Sequence, residues 1–476
     1  MSNRYGFADP DGVRASYFYS RNWDAFAREW QGPAEYVNGL WVAPRERIED
    51  VQQERFRSVL EYGWSNPWYG QRWREHGIEP GDVRGLEDLS RLPTFNVDDL
   101  RESINASPPF GSHQGIGFGQ GEPIKIQTSG GTTSKPRPTF FTPFEMEMQG
   151  VSMARALYLH GAAPGDRIQI PTTLSMANLG WAYYTAAFHW MGMVPITTGT
   201  GNVTSSKRQL EIAFDWGTNI WGSFPEYLTR LAQVAEEEGL HLPDLPTKFL
   251  STYLGPDTEG KLREALEEAW GAPVYDNYGA HEIGHTSIEC MERDGLHIFE
   301  DLVYFEVVDV DTGKPLPEGE KGKLVATSLY RRYPPIIRYD LNDVTRILPG
   351  ECRCGSHTKR MDHFLGRSDD MVKIRGVNVF PMAALGAVRS RPDTTGEWVC
   401  IVNRIDRGQE IRDELSVQVE YRDGASLEDF KRDLESRLHD SFGIRVEVEP
   451  VPAGSLAEYT YAREGKARRL IDNRFS

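Results

Sequence analysis

Cysteine is scarce in this sequence, with four in 476 residues. That excludes a disulfide-stapled secreted scaffold and leaves buried thiols or metal ligands as the uses of the sulfur. Positive charge is short as well: 53 Lys and Arg stand against 70 Asp and Glu, a net charge of −17. A surface of that sign repels nucleic acid phosphates and anionic lipid, so neither nucleic acid nor membrane is an expected partner. Long apolar runs are lacking too, with one stretch to weigh. Residues 168–206 contain no Asp, Glu, Lys or Arg and include LGWAYYTAAFHWMGMVPI. Its richest part barely reaches the length of a span and has Asn178, His189 and Pro195 in or beside it, so a buried helix and pocket wall is expected. The opening MSNRYGFADPDG has no apolar segment behind a basic region, so no secretory signal or transit peptide is read and the cytoplasm is the expected location. What is present suits a folded chain: 39% hydrophobic residues, 46 glycines and 26% charged residues supply both a core and a solvated surface. At roughly 150 residues per domain, the length allows two to four units.

The first forty or so residues are aromatic and irregular. PRERIEDVQQERFRSVLEYGWSNPWYGQRWREHG then reads as helix, with Val51, Phe56, Val59 and Leu60 near helical spacing. From Ile124 to about Ile347, the β-rich runs RIQIP, NIWGS, KFLSTYL and KLVATSL alternate with helical stretches such as PEYLTRLAQVAEEEG and TEGKLREALEEAWG, the pattern of α/β layering. After GRSDD the strands EWVCIVN, LSVQVEYR and RVEVEPV surround the helix SLEDFKRDLESRLHDSF. The expected fold class is α/β, with a large multi-sheet domain over residues 1–367 and a small α+β domain over residues 368–476.

One segment carries chemistry at first sight. In IKIQTSGGTTSKPRPTFF a β-like run opens into Thr128, Ser129, Gly130, Gly131, Thr132, Thr133, Ser134 and Lys135. Small residues let backbone N–H groups turn inward, hydroxyls add donors, and Lys135 and Arg137 add charge, which suits a polyphosphate. The spacing is not that of a Walker loop, and a flexible linker is the plain alternative. Three further segments follow in order: Tyr278, Gly279 and Glu282 in YDNYGAHEIG, Arg338, Tyr339 and Asp343 in IIRYDLNDV, and Gly366, Arg367, Asp369 and Asp370 in GRSDDMVKIRGVNVFP. Together with the loop they resemble the acyl-adenylate-forming (ANL) superfamily. RLPTFNVDDLRES, GTGNVTSSKRQLEIAFDWGTNIWGSFPEYLTRLA, ECRCG and the terminal REGKARRLIDNR are similar to its phenylacetate–CoA ligase-like branch, so the resemblance runs from about Pro44 to the end.

The resemblance implies a large adenylate-forming domain, a mobile small domain, and a role for each motif residue. Thr128 to Thr133 and Lys135 would hold ATP phosphates. Glu282 would help hold Mg²⁺ on them, as a hard cation wants carboxylate oxygen, and is expected to line a solvent-accessible cleft. Tyr278, beside Gly279, would lie against adenine. Asp343 would accept from the ribose hydroxyls, with Asp340 as its rival, and Arg367 would sit near ribose and phosphate. Asp369 would be the hinge about which the small domain turns. Lys466 would contact the substrate carboxylate and the phosphate during adenylation, and Lys373, Arg375 and Gly376 would line the path of CoA. Two departures stand out: Ser134 occupies a usual glycine position of the loop, and His281 replaces the Thr or Ser that usually precedes the glutamate. His281 could shape the pocket, donate a hydrogen bond or simply pack; the three stay open.

Cys290 is followed after six residues by His297, and Cys352 and Cys354 flank Arg353. Thiolate and imidazole are the ligands tetrahedral Zn²⁺ prefers, so a structural Cys₃His site is expected, with His285 and His357 in reserve and free thiols as the alternative. Cys400 alternates with apolar residues and reads as core. The resemblance implies an AMP-forming acid–thiol ligase using ATP, Mg²⁺ and CoA, with a homodimer left open. Trp181, Tyr184 and Phe188, with His281, are the expected acid pocket and favour an aromatic acid. Delivery to a carrier-protein thiol or an amine is the rival reaction, and an idle nucleotide-binding scaffold the rival class.

Overall fold

The computed structural model describes residues 16–117, 122–128, 137–257, 260–368, 371–374, 377–406, 411–422, 424, 426–460 and 468–474. The N-terminal helical reading is correct with one break. Helix Arg45–Ser65 buries Ile48, Gln52, Phe56, Val59, Leu60 and Gly63 along one stripe, and Asn66 and Pro67 then end it and start Pro67–Glu75. The Asn66 side chain accepts from the Trp68 N–H at 3.0 Å, as an N-cap before a first-turn proline should. Gly63 is needed for close approach: a Cβ there would lie 2.6 Å from the Trp73 ring and 2.8 Å from Ile337.

The centre of the molecule is a nine-stranded mixed sheet in the order Ile347–Leu348, Arg360–Met361, Leu296–Ile298, Gly284–Glu289, Val274–Ala280, Phe249–Thr252, Ile220–Gly222, Arg167–Gln169 and Val194–Ile196. The last five run parallel. Ile220–Gly222 and Phe249–Thr252 are buried throughout, as helix-covered parallel strands must be, while Val194 on the edge strand is exposed. Helices Pro225–Glu237 and Lys261–Trp270 supply part of that cover through Leu228, Leu231, Leu262, Leu266 and Trp270. A four-stranded antiparallel sheet of Val303–Val308, Gly322–Ser328, Tyr339–Thr345 and Gly366–Arg367 lies beside it in the chain's order. Helix Pro143–Leu159 is buried almost all round, so its charges are paired internally: Arg155 holds Asp301 through contacts of 2.9 and 3.0 Å.

The C-terminal part is α+β as expected. Glu447–Pro452, Ile411–Tyr421, Thr394–Asp406 and Leu470–Asp472 form one four-stranded sheet, and helix Leu427–Phe442 buries Phe430, Leu434, Leu438 and Phe442 at four-residue spacing. No described helix is long and apolar enough to cross a membrane. The uncharged stretch instead forms helix Asn178–Thr185, which continues into a wider π-turn over Ala186–Trp190.

Candidate active site and metal centre

Strands Lys125–Thr128 and Pro138–Phe141 pair antiparallel, with Thr128 opposite Pro138. They hold the ends of the segment 129–136 side by side; Ser129, Gly130, Gly131, Thr132, Thr133, Ser134 and Lys135 themselves lie outside the described residues. Just past the segment, the Arg137 guanidinium donates to Glu282 Oε1, and the Tyr339 hydroxyl donates to the same oxygen at 3.1 Å. Both members of the ion pair are buried, Arg137 at 8% and Glu282 at 7% exposure. The expected solvent-accessible cleft around Glu282 is therefore corrected: Arg137 and Tyr339 close over the carboxylate. Burial opposes its ionisation, but Arg137, with smaller help from His281 and a backbone N–H, holds its carboxyl below the usual range.

A second chain of contacts joins three of the expected nucleotide residues. The Tyr278 hydroxyl donates to Asp343 Oδ2 at 2.6 Å, and Arg367 Nη1 donates to Asp343 Oδ1 at 3.2 Å. The strands explain it, since Asp343 and Arg367 are cross-strand partners. Asp340, the rival, is committed elsewhere: it accepts from Lys323 at 2.5 Å and from the Asn342 N–H at 2.9 Å. Arg338 is likewise structural, with Glu306 held at 2.9 and 3.0 Å. Gly279 serves the hairpin between Val274–Ala280 and Gly284–Glu289, where a Cβ would meet the Gly284 carbonyl at 2.5 Å.

Between these groups and the parallel strands lies a cavity of about 540 Å³. Thr128 and Gly279, Ala280 and His281 form one side. The other side is Thr172, Ser223, Phe224, Tyr227 and Tyr253, residues that follow the carboxyl ends of parallel strands, where ligands of open α/β sheets bind. His281 Nε2 lies 2.9 Å from Thr139 Oγ1, and burial lowers its pKa to about 4, so it is a neutral imidazole at pH 7.

The rest of the expected acid pocket is corrected. Trp181 and Tyr184 line a separate cavity, and Phe188 is 60% exposed. At 181, 184 and 188 they share one helical stripe, whereas Asn178, Leu179 and Ala182 face the main cavity. The aromatic wall is Phe224, Tyr227 and Tyr253, which the sequence reading missed. Their place directly after the strands in NIWGS and KFLSTYL was the available signal.

The four expected metal ligands do come together. The ligand atoms of Cys290, His297, Cys352 and Cys354 all lie within 4.8 Å of one another. Cys290 Sγ is 3.7 Å from Cys352 Sγ, and His297 Nε2 is 3.4 Å from Cys354 Sγ. His297 Nδ1 is fixed 2.9 Å from Thr358 Oγ1, the outer contact that orients a ligating imidazole. The reserve ligands are occupied elsewhere, His285 with Asn277 and His357 with the Ala43 carbonyl. Cys400 is buried core. Of the remaining expected residues, Asp369, Arg375, Gly376 and Lys466 lie outside the described residues, and Lys373 falls in strand Val372–Ile374.

Comparison with known proteins gives these arrangements a lineage. Residues 376–474 match the family model of the AMP-binding enzyme C-terminal domain. A crystal structure of 2-hydroxyisobutyryl-CoA ligase in the postadenylation state, in complex with 2-HIB-AMP, is 27% identical, covers 98% of this chain and 96% of its own, and superposes with a TM-score of 0.78. The same ligase in complex with 2-HIB-AMP and CoA in the thioesterification state, with the same identity and coverage, gives 0.67. The protein is thus an adenylate-forming enzyme, an AMP-forming acid–thiol ligase. The phenylacetate–coenzyme A ligase of Thermus thermophilus is 30% identical over 463 residues, 92% of this chain and 99% of the relative. The chain belongs to the phenylacetate–coenzyme A ligase family.

Proposed function

We propose that the protein is an ATP-dependent acid–CoA ligase acting on an aromatic acid of the aryl or arylacetic type. The observation that carries this reading is the 540 Å³ cavity, walled by Phe224, Tyr227 and Tyr253 and closed at its far side by Thr128 and His281 next to the Arg137–Glu282 pair. An aryl group fits the aromatic wall, and its carboxylate would then point toward the phosphate hairpin. Adenine would lie by Tyr278, and Asp343, already oriented by Tyr278 and Arg367, would accept from the ribose hydroxyls. Glu282 would help hold Mg²⁺ once Arg137 turns from the carboxylate toward the phosphates, and the metal when bound would neutralise phosphate charge. Arg137 adds positive charge at the same place. The carboxylate oxygen attacks the α-phosphorus, pyrophosphate leaves, and acyl-AMP forms. Lys466 would steady the two anions, and the thiolate of CoA then attacks the acyl carbon and expels AMP.

The two steps would use two orientations of the domain from residue 368, pivoting at Asp369 and bringing Lys373, Arg375 and Gly376 to the thiol. The chain superposes better on the postadenylation state of 2-hydroxyisobutyryl-CoA ligase than on its thioesterification state, and the existence of two such states in that relative motivates the two-orientation reading. A screen of aryl, arylacetic, arylpropenoic and aliphatic acids with ATP and CoA tests the proposal. Acid-dependent pyrophosphate and AMP with an aryl-CoA product is the expected result. ADP and orthophosphate would refute the mechanism, and turnover only with a carrier protein or an amine would refute the choice of thiol.

The quartet of Cys290, His297, Cys352 and Cys354 would hold a structural Zn²⁺. Zinc–sulfur bonds of about 2.3 Å in a tetrahedron set sulfur atoms about 3.8 Å apart, close to the 3.7 Å between Cys290 and Cys352. The site would tie the strands after the Glu282 motif to the loop before the hinge.

A further inference from the structure

The cavity that received Trp181 and Tyr184 is an unassigned site. It measures about 310 Å³ and is lined mainly by apolar surface, Phe141, Met146, Trp181 and Tyr184 among it, with Lys125 and His189 as its basic side chains. It shares no lining residue with the main cavity: helix Asn178–Thr185 separates them, turning Asn178 and Ala182 to one and Trp181 and Tyr184 to the other.

Lys125 is the anomaly. Its Nζ is sealed from solvent, has no hydrogen-bond partner among the described residues, and rests 3.5 Å from the centroid of the Trp181 ring. Burial pushes its pKa down to about 8, and no neighbouring charge restores it. Glu147, on the adjoining helix, accepts from Tyr17, from Trp190 at 3.0 Å and contacts His189 at 2.9 Å, and Glu122 pairs with Arg21 through Oε1 at 3.1 Å, its Oε2 having no hydrogen-bond partner among the described residues. A buried ammonium held only by a ring face keeps most of its desolvation penalty. An anion arriving with its own apolar body would relieve it.

We propose that this cavity binds a small aromatic carboxylate, separately from the catalytic cavity, with the carboxylate on Lys125 and the ring against Trp181 and Tyr184. Lys125 opens the strand that ends at Thr128, the last described residue before the phosphate segment. Occupancy would therefore act on the hairpin that holds that segment, and the enzyme would sense the class of acid it consumes.

The test uses the full chain with phenylacetate as probe, followed by calorimetry and Trp fluorescence, with and without a saturating nonhydrolysable acyl-sulfamoyl adenosine in the catalytic cavity. One phenylacetate per chain is expected to bind the blocked enzyme, at least tenfold more weakly in Lys125→Met and tenfold more weakly for phenylacetamide, and to persist in Lys125→Arg. Met fits the apolar cavity, so its thermal midpoint should match the parent protein. No binding to the blocked enzyme, or equal binding by Lys125→Met, overturns the proposal. Failure of the adenosine analogue itself to bind would count against the adenylation reading instead, and the Lys125→Met comparison without it still decides the second site.

Discussion

Glu282→Gln should do more than remove a metal ligand, because the structure makes Glu282 half of a buried ion pair. Arg137 and Glu282 are both under 9% exposed, and Glu282 also accepts from Tyr339. Losing the carboxylate charge leaves the Arg137 guanidinium buried without its counter-ion, which costs about 3–5 kcal/mol. Arg137→Met alone strands the carboxylate and should cost about the same. The double variant removes both charges, so its loss should be far below the sum, with a coupling energy of about 3 kcal/mol between the sites. The assay is a double-mutant cycle by urea unfolding without nucleotide, beside pyrophosphate exchange on the same proteins. The double variant's loss of stability should fall about 3 kcal/mol short of the sum of the single losses, while its adenylation should stay lost. Glu282→Gln unfolding with the parent protein, or strictly additive losses, would show that the pair is not the buried contact described. Full exchange activity in the double variant would remove Glu282 from adenylation.

Acid should unfold this protein early. Burial lowers the pKa of His113, His160 and His281 to about 4 and of His285 to about 3, against about 6.5 in the unfolded chain. Between those values the unfolded chain binds more protons, so the contribution of these imidazoles is complete above about pH 6.5 and falls as pH drops toward 4. His189, raised by its hydrogen bond to Glu147, does not offset this, since its contribution is already complete below pH 6.5. A flat unfolding midpoint from pH 7 to 5 would contradict the burial of these rings. Protein purified without chelator should contain about one zinc per chain, and Cys352→Ser should lose it along with several degrees of thermal midpoint; elemental analysis that finds no metal dismisses the site. Lys466→Ala should lose roughly 10²-fold or more in adenylation while still converting supplied acyl-AMP to thioester, and equal loss in both half-reactions would refute the two-orientation account.

What the sequence made legible follows from how local each cause is. The strands RIQIP and KFLSTYL and the helix SLEDFKRDLESRLHDSF were readable because their burial pattern lies within the segment, and Phe430, Leu434 and Leu438 do form one stripe. The mutual contacts of Tyr278, Asp343 and Arg367 follow from neighbouring strands that place them, and the cluster of Cys290, His297, Cys352 and Cys354 was readable because its donor types have few other common uses together. The aromatic pocket was misread because aromatic content says nothing about which helical face looks inward. Trp181 and Tyr184 sit one turn apart on the face away from Thr128, and the wall came from residues spaced by whole βα units, Phe224 to Tyr253.

Glu282 shows the other limit. Its partner Arg137 is 145 residues away, and no local pattern tells a carboxylate exposed in a cleft from one capped by arginine. The difference matters chemically, since a capped carboxylate keeps its charge and orientation before nucleotide arrives, so less reorganisation remains for the reacting complex. Arg137, directly after the phosphate segment, can hold Glu282 or face the phosphates. The ion pair ties the residue that follows segment 129–136 to the fold around Glu282, and sequence analysis alone could name both residues but not their contact.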